Sequence, residues 1–339
     1  MKPPFQLREA PTAEILELLS ETTLGTSGAR YQHLDVLERI HSADQPLYLS
    51  VERAHKVLGN ITFCRRGNQW YIRYFAFKNS YQSSGNIANR SKSDGLFKAW
   101  ITRFFDDAFN GKLNNEPVEM FYAYIDPKNE RSKWMSTHFG FHVAGNLVTQ
   151  SFSRVYPKKS TWLKRIERWE EVSDEIQRRF SKYQHYNESQ LKTPPFYVLL
   201  NQDGEQIAGA HITRVRWKIE RLPGRLGGLM TKIVPYIPFL RTLIKPNDHQ
   251  FIVPDCVWSK DNDSEALQEL FSAILFEEKL NLMLWWMDKN EPLYLGVKNK
   301  INWGLLHKII GVSPVEIVVR EKKPTQSKQP FFVSGWDMV

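Results

Sequence analysis

Two hydrophobic periods alternate along the first half of the chain. Ile15, Leu16, Leu18 and Leu19 fall on one helical face, and Thr12 stands where a cap for that helix belongs. A second amphipathic stretch covers residues 31–40. Three strand-like runs follow, over residues 46–51, 57–64 and 70–77, and Arg66-Gly67-Asn68 between the last two predicts a hairpin turn. A polar stretch, residues 78–94, then precedes a helix starting near Gly95. Its apolar positions Leu96, Trp100, Ile101, Phe104, Phe105 and Phe109 recur at helical spacing. A strand over residues 118–125, a short helix from Asn129 and a hairpin-like pair ending near Tyr156 complete this half.

Composition shifts at Pro157. Lys158-Lys159-Ser160-Thr161 leads into a long helix predicted from Trp162, Ile166, Trp169, Val172, Ile176 and Phe180. Strands over 196–200 and 206–212 flank the turn signal Asp203-Gly204. A strand over 251–258, a helix over 264–279 and the strongly apolar strand 280–287 repeat the earlier order. Both halves therefore read hairpin, strand, helix, strand. The fold class is α+β, as two similar domains, residues 1–156 and 157–339.

Hydrophobic residues make up 42% of the 339, enough for a core in each half. Cys64 and Cys256 are the two cysteines, which excludes a disulfide scaffold and a cysteine zinc site and fits a reducing compartment. The longest fully apolar run, residues 282–287, is far short of the ~20 that a membrane span needs, and the opening MKPPFQLREAPTAEI has no signal-peptide core. A soluble, cytoplasmic protein is the expectation. Lys and Arg number 46 against 37 Asp and Glu, a net charge of +9, which suits an anionic partner without choosing between a nucleic acid, an acidic membrane and a phosphate-rich cofactor. The excess concentrates in residues 211–245, with eight basic residues against Glu220 alone, interrupted by glycines and prolines. That segment reads either as a basic apolar contact for lipid, RNA or a long acyl chain, or as a packing loop with solvated charges. No His-x-x-x-His pair sits beside a carboxylate, and neither a Gly-x-Ser-x-Gly elbow nor a GK[ST] phosphate loop occurs. No metal is expected.

Leu7-Arg8-Glu9-Ala10 at the start, Gly59 in the hairpin, and Asn129, Ser132, Met135 and Phe139-Gly140-Phe141 in the short helix resemble the GNAT acyltransferase superfamily. The resemblance covers most of residues 5–156 and, more faintly, 195–320. It implies two GNAT-like domains, each a mixed, mostly antiparallel central sheet flanked by helices, with the second copy degenerate. It also implies an acyl-CoA co-substrate, acetyl-CoA first, held by an Arg/Gln-x-x-Gly-x-Gly/Ala loop between a strand and the next helix. Glycines there admit backbone N–H groups to the pyrophosphate, and the helix N-terminus adds partial positive charge. Two registers offer themselves after Phe77: Gln82-Ser83-Ser84-Gly85-Asn86-Ile87 and Arg90-Ser91-Lys92-Ser93-Asp94-Gly95. The cofactor-binding candidates are accordingly Phe77, Gln82, Ser84, Gly85, Arg90, Ser93, Gly95 and Asn129. A solvated polar loop is the alternative. In the second half the corresponding Lys260–Glu265 stretch has no glycine and three acids, so cofactor binding is not expected there, and Asp263 or Ser264 reads as a helix cap.

Acyl transfer to an amine needs a base, an oxyanion donor and an acid for the thiolate. The family's Tyr after the apolar residue of the Asn-containing motif is Ser136 here, too weak an acid. Tyr124 as acid and Asp126 as base are the catalytic candidates, with Tyr122 and His138 as substitutes; ordinary strand packing of both tyrosines is the alternative. The expected function is N-acylation of a small-molecule or peptide amine. Two others remain open: a transferase resembling the Fem type, which uses aminoacyl-tRNA and so would make nucleic acid a partner, and a GNAT-like binding protein without catalysis.

Overall fold

The computed structural model describes residues 5–25, 29–53, 56–78, 92–113, 116–222, 227–324 and 327–338. In chain order the elements are β1 (Phe5–Arg8), α1 (Ala13–Ser20), β2 (Arg30–His33), α2 (Val36–His41), β3 (Pro46–Arg53), β4 (Lys56–Arg66), β5 (Gln69–Phe77), α3 (Lys92–Phe109), β6 (Met120–Ile125) and α4 (Glu130–His138). They continue with β7 (His142–Ser153), β8 (Leu163–Ile166), α5 (Ser173–Phe180), β9 (Phe196–Leu200), β10 (Gln206–Arg221), α6 (Gly227–Ile233), α7 (Leu240–Leu243) and β11 (His249–Ser259). The last are α8 (Ser264–Glu277), β12 (Leu282–Asp288), α9 (Pro292–Val297), α10 (Leu305–Ile310) and β13 (Ser313–Glu321).

Two compact units emerge, and neither is one unbroken stretch. The first takes Met1–Thr23, Val36–Ala144 and Glu316–Gln326; the second takes Leu24–Asp35, Gly145–Val315 and Ser327–Val339. In the first unit the strand order is β1-β3-β4-β5-β6-β13, antiparallel throughout except for the β5/β6 pair. In the second it is β7-β12-β11-β10-β9-β8, with β2 also on β10 and β11/β12 parallel. Each is the mixed, mostly antiparallel sheet expected from the sequence.

Alternation along β3, β4 and β6 sends Leu47, Leu49, Ile61, Phe63 and Phe121 to one face, where Ile101, Phe105, Ala108 and Phe109 of α3 close the core. The opposite face holds Tyr48, Ser50, Asn60, Thr62, Tyr74 and Tyr122, all buried, and α1 packs across β4 and β5 through a helix capped by Thr12, whose Oγ1 accepts the Ile15 N–H. In the second unit α8 presents Leu267, Leu270, Phe271 and Ile274 to Ile252, Met283 and Phe152.

Three sequence expectations are corrected. Residues 162–180 form no long helix: β8 pairs with β9, a 3-10 turn covers Trp169–Glu171, and only Ser173–Phe180 is α-helical. Apolar residues three and four apart met the helical template although Leu163 and Ile166 lie in a short edge strand. Residues 31–40 split into β2 and α2, because Tyr31–His33 pair with β10. The pair expected to end near Tyr156 is one strand, β7; Gly145 is not a turn residue but lies under the Phe331 ring, which a Cβ there would meet at 2.4 Å.

Candidate functional site

β5 and β6 run parallel through only three register pairs, Gln69↔Met120, Trp70↔Phe121 and Tyr71↔Tyr122. Beyond them β5 continues to Phe77 on β4, while β6 continues to Ile125 on β13. The two strands thus part, and each keeps a full partner on its outer side. Past Tyr71↔Tyr122 no register pair joins their facing edges. A β-bulge lies at the same level: Thr62 opposes Tyr74 and Phe63 opposes Ile72, leaving Arg73 as the extra residue. Burial opposes the charge of Arg73, but Tyr74, Cys64 and Tyr71 outweigh it and hold its pKa above the ordinary value. Its Nη1 donates to the Arg39 carbonyl at 3.4 Å.

Phenols gather where the strands part. Tyr71 stacks on Tyr122 with centroids 5.3 Å apart, Tyr124 lies 5.3 Å from Tyr71 and 5.9 Å from Tyr122, and Arg66 spans the group. Its Nη1 donates to Tyr122 Oη at 2.7 Å and its guanidinium sits 5.4 Å from the Tyr71 centroid. Burial pushes the Tyr48 phenol up to about 12, which unfits it as a proton donor. Tyr48, Tyr71, Tyr74 and Tyr122 are buried, whereas Tyr124 is partly exposed. Sequence reasoning found Tyr122 and Tyr124 but missed Tyr71 and Arg66. Only the parallel register, a non-local property, reveals that Tyr71 opposes Tyr122.

The other expected residues divide three ways. Asp126 lies just past β6, partly exposed, and its Oδ1 accepts the Lys128 N–H at 2.9 Å, so this carboxylate also shapes the turn into α4. Asn129 is the α4 N-cap, accepting the Ser132 N–H at 3.1 Å. Ser136 donates to the Lys133 carbonyl at 2.8 Å, and His138 stacks on Trp134 at 4.4 Å. Phe77 ends β5 with its ring against Gly59: a Cβ on Gly59 would lie 2.3 Å from that ring, so glycine is what seats Phe77. Ser93 and Gly95 fall in the first turn of α3. Gln82, Ser84, Gly85 and Arg90 lie outside the described residues.

Gly140-Phe141, part of the family-like motif, is a helix stop. Gly140 has φ +79°, its N–H reaches Thr137 O at 3.0 Å, and the Phe141 N–H reaches Ser136 O at 2.9 Å. That is the Schellman pattern, and it needs a residue at ease in the left-handed region.

The second unit has its own parting strands, with β11 and β12 sharing one parallel register pair, Ile252↔Met283. Its bulge falls on β11, where Cys256 adopts φ +47°. Beside it His211 and Asp255, both buried, share a 2.7 Å hydrogen bond; His211 Nε2 also meets Thr193 O at 2.8 Å, and Asp255 Oδ2 accepts the Gly335 N–H at 2.5 Å. Burial pushes the His211 pKa down, but Asp255 and the Thr193 carbonyl outweigh it and hold it above the ordinary value. In the second unit α8 is capped by Asp263, its Oδ1 accepting the Glu265 and Ala266 N–H groups. The α8 N-terminus is thus occupied by the protein's own carboxylate. Among the described residues no cluster of three or more His, Cys, Asp or Glu is arranged to hold a metal ion, and no helix is long and apolar enough to cross a membrane.

No protein-family model and no curated protein sequence matches the chain. Solved structures do. Saccharomyces cerevisiae N-myristoyltransferase with bound myristoyl-CoA is similar at TM-score 0.53 and 10% identity, over 95% of this chain and 80% of that one. A tandem GNAT protein from the clavulanic acid biosynthesis pathway gives TM-score 0.54 at 8% identity, over 95% of this chain and 100% of that one. A GCN5-related N-acetyltransferase from Sphaerobacter thermophilus gives 0.52 at 10%, over 96% and 98%. These likenesses speak for the fold: the chain has a GNAT-like fold in tandem arrangement.

Proposed function

We propose that the protein is an acyl-CoA-dependent N-acyltransferase whose first unit takes the thioester arm between β5 and β6. The observation that carries this reading is the end of β5/β6 pairing after Tyr71↔Tyr122 while both strands continue. A gap of that kind offers strand-edge amides to a pantetheine chain and N–H groups to a developing oxyanion. The amine attacks the thioester carbonyl, the tetrahedral intermediate collapses with loss of the C–S bond, the amine's proton passes to Asp126 directly or through water, and Tyr124 protonates the thiolate. CoA thiol and an amide result. Tyr124 suits the part because, of the five phenols on this face among the described residues, it is the one partly exposed. Residues 82–91 and the first turn of α3, which holds Ser93 and Gly95, are proposed to take the pyrophosphate, with Phe77 and Asn129 beside it. Acetyl is the expected acyl group and a small-molecule or peptide amine the acceptor; the cap on α8 argues against a second acyl-CoA in the other unit.

Calorimetric titration with acetyl-CoA and free CoA tests the reading. Saturable binding is expected, lost in Gly85→Trp and kept in Tyr124→Phe. With an amine panel, Tyr124→Phe should lower kcat by about 10²-fold or more while leaving KM for the donor little changed. No heat with either ligand sinks the reading and turns attention to aminoacyl-tRNA. Binding without turnover, and no effect of Tyr124→Phe, leaves a binding protein.

A further inference from the structure

Between Glu220 and Asp248 the chain has no acid, while it carries Arg221, Arg225, Lys232, Arg241 and Lys245. The start of this segment is the end of β10; from Gly227 it is helical as far as Tyr236, α6 running straight into a 3-10 turn, Val234–Tyr236, and the short α7 follows after an extended Ile237. It is pinned from beneath. Val234, Leu240 and Leu243 are buried in one cluster with Val215, Trp217 and Phe251 of β10 and β11. The outer side is nevertheless apolar. Leu229, Ile233 and Tyr236 recur at spacings of four and three, which places them along one side of the stretch. They are 52%, 39% and 85% exposed, and Phe239 is 58% exposed. Lys232, Arg241 and Lys245, also exposed, accompany them.

We propose that this segment docks the protein on an anionic lipid surface. Leu229, Ile233, Tyr236 and Phe239 enter the boundary between headgroups and acyl chains, and the three cations meet lipid phosphates. Charge complementarity selects this occupant: a cationic, acid-free segment with an apolar side is what an interfacial helix presents, and Tyr is at home where one end of a side chain is apolar and the other wet. RNA would use the cations and stack on the two rings, but Leu229 and Ile233 offer no face for stacking. In a two-fold contact with a second copy, the cations would confront their own kind. The proposal does not rest on acyl transfer.

Co-sedimentation of the full chain with phosphatidylcholine vesicles, with and without phosphatidylglycerol, tests it. Binding is expected to the mixed vesicles, little to phosphatidylcholine alone, and less as salt rises. Tyr236→Ser with Phe239→Ser should weaken it at least about tenfold, and Lys232→Glu with Arg241→Glu should do the same. Both pairs should keep the parent's melting temperature, since all four side chains are exposed. Absence of vesicle binding overturns the proposal, as does binding untouched by the aromatic pair. Preference for homopolymer RNA, lost only in the charge pair, or a dimer that the aromatic pair splits while vesicles go unbound, overturns it equally.

Discussion

His249 and His211 lie on neighbouring strands of the second unit and are displaced in opposite directions. Burial, then Lys245, pushes His249 down to about 4. An unfolded His titrates near 6.5, so between pH 6.5 and 4 the unfolded chain binds a proton that the folded one refuses, and stability falls with pH by on the order of 3 kcal/mol. His211 has a raised pKa. Its contribution is fully present below about 6.5 and is lost as pH rises through the folded value. Thermal melts across pH should therefore show the second unit most stable near the ordinary His value. His249→Gln should flatten the acid limb, and an unchanged acid limb in that variant would refute the assignment. At this scale the sequence was legible wherever a residue's job is local. The caps Thr12 and Asp263 and the Gly140 stop follow from neighbours within a few positions. Residues whose role depends on a distant strand, Tyr71 and Arg66 above all, had no such local mark.

Single side chains also decide how elements are held. Arg320 on β13 donates from Nη1 to the Phe139 carbonyl at 3.0 Å at the end of α4, pairs with Asp106 of α3 at 3.0 Å, and lies 4.8 Å from the Phe105 centroid. Asp106 is 55% exposed, so the ion pair is worth little, whereas the covered guanidinium, its carbonyl bond and its ring contacts are worth more. Arg320→Ala should therefore cost about 2 kcal/mol by denaturant unfolding and Asp106→Ala under about 0.5 kcal/mol; equal losses would show the ion pair to be the main contact. Strands β3 to β6 and helix α3 were readable because alternation and helical spacing are sustained in them. β8 was not: four residues at an edge carry too short a period, and the apolar positions of the turn and helix that follow completed a false helical pattern. β13 has a plain strand composition, yet no local signal says that it belongs beside β6.

At the scale of the molecule, the chain leaves each unit and returns to it. Residues 24–35 give β2 to the second unit, and residues 316–326 bring most of β13 back to the first. A cut at 156/157, where composition shifts, strips β13 from the first unit and leaves β7 and β2 on the wrong fragment. Each fragment expressed alone should then be insoluble through its open edge, and co-expression of 1–156 with 157–339 should yield a soluble complex. Two fragments that each purify folded and alone would contradict this. Fold class and the repeated order of elements were legible because both depend on local periods; the interleaving was not, since it is a matter of partner choice between strands far apart in sequence.

The return of β13 also sets a clock. β6 ends at Ile125 and β13 begins at Ser313, so about 190 residues must be made before the first sheet gains its last partner. At roughly 5–20 residues per second, the nascent chain holds Met120–Ile125 unpaired on that side for on the order of 10–40 s. Translation speed and the chaperones met on the ribosome thus bear on how much of this protein reaches its native state.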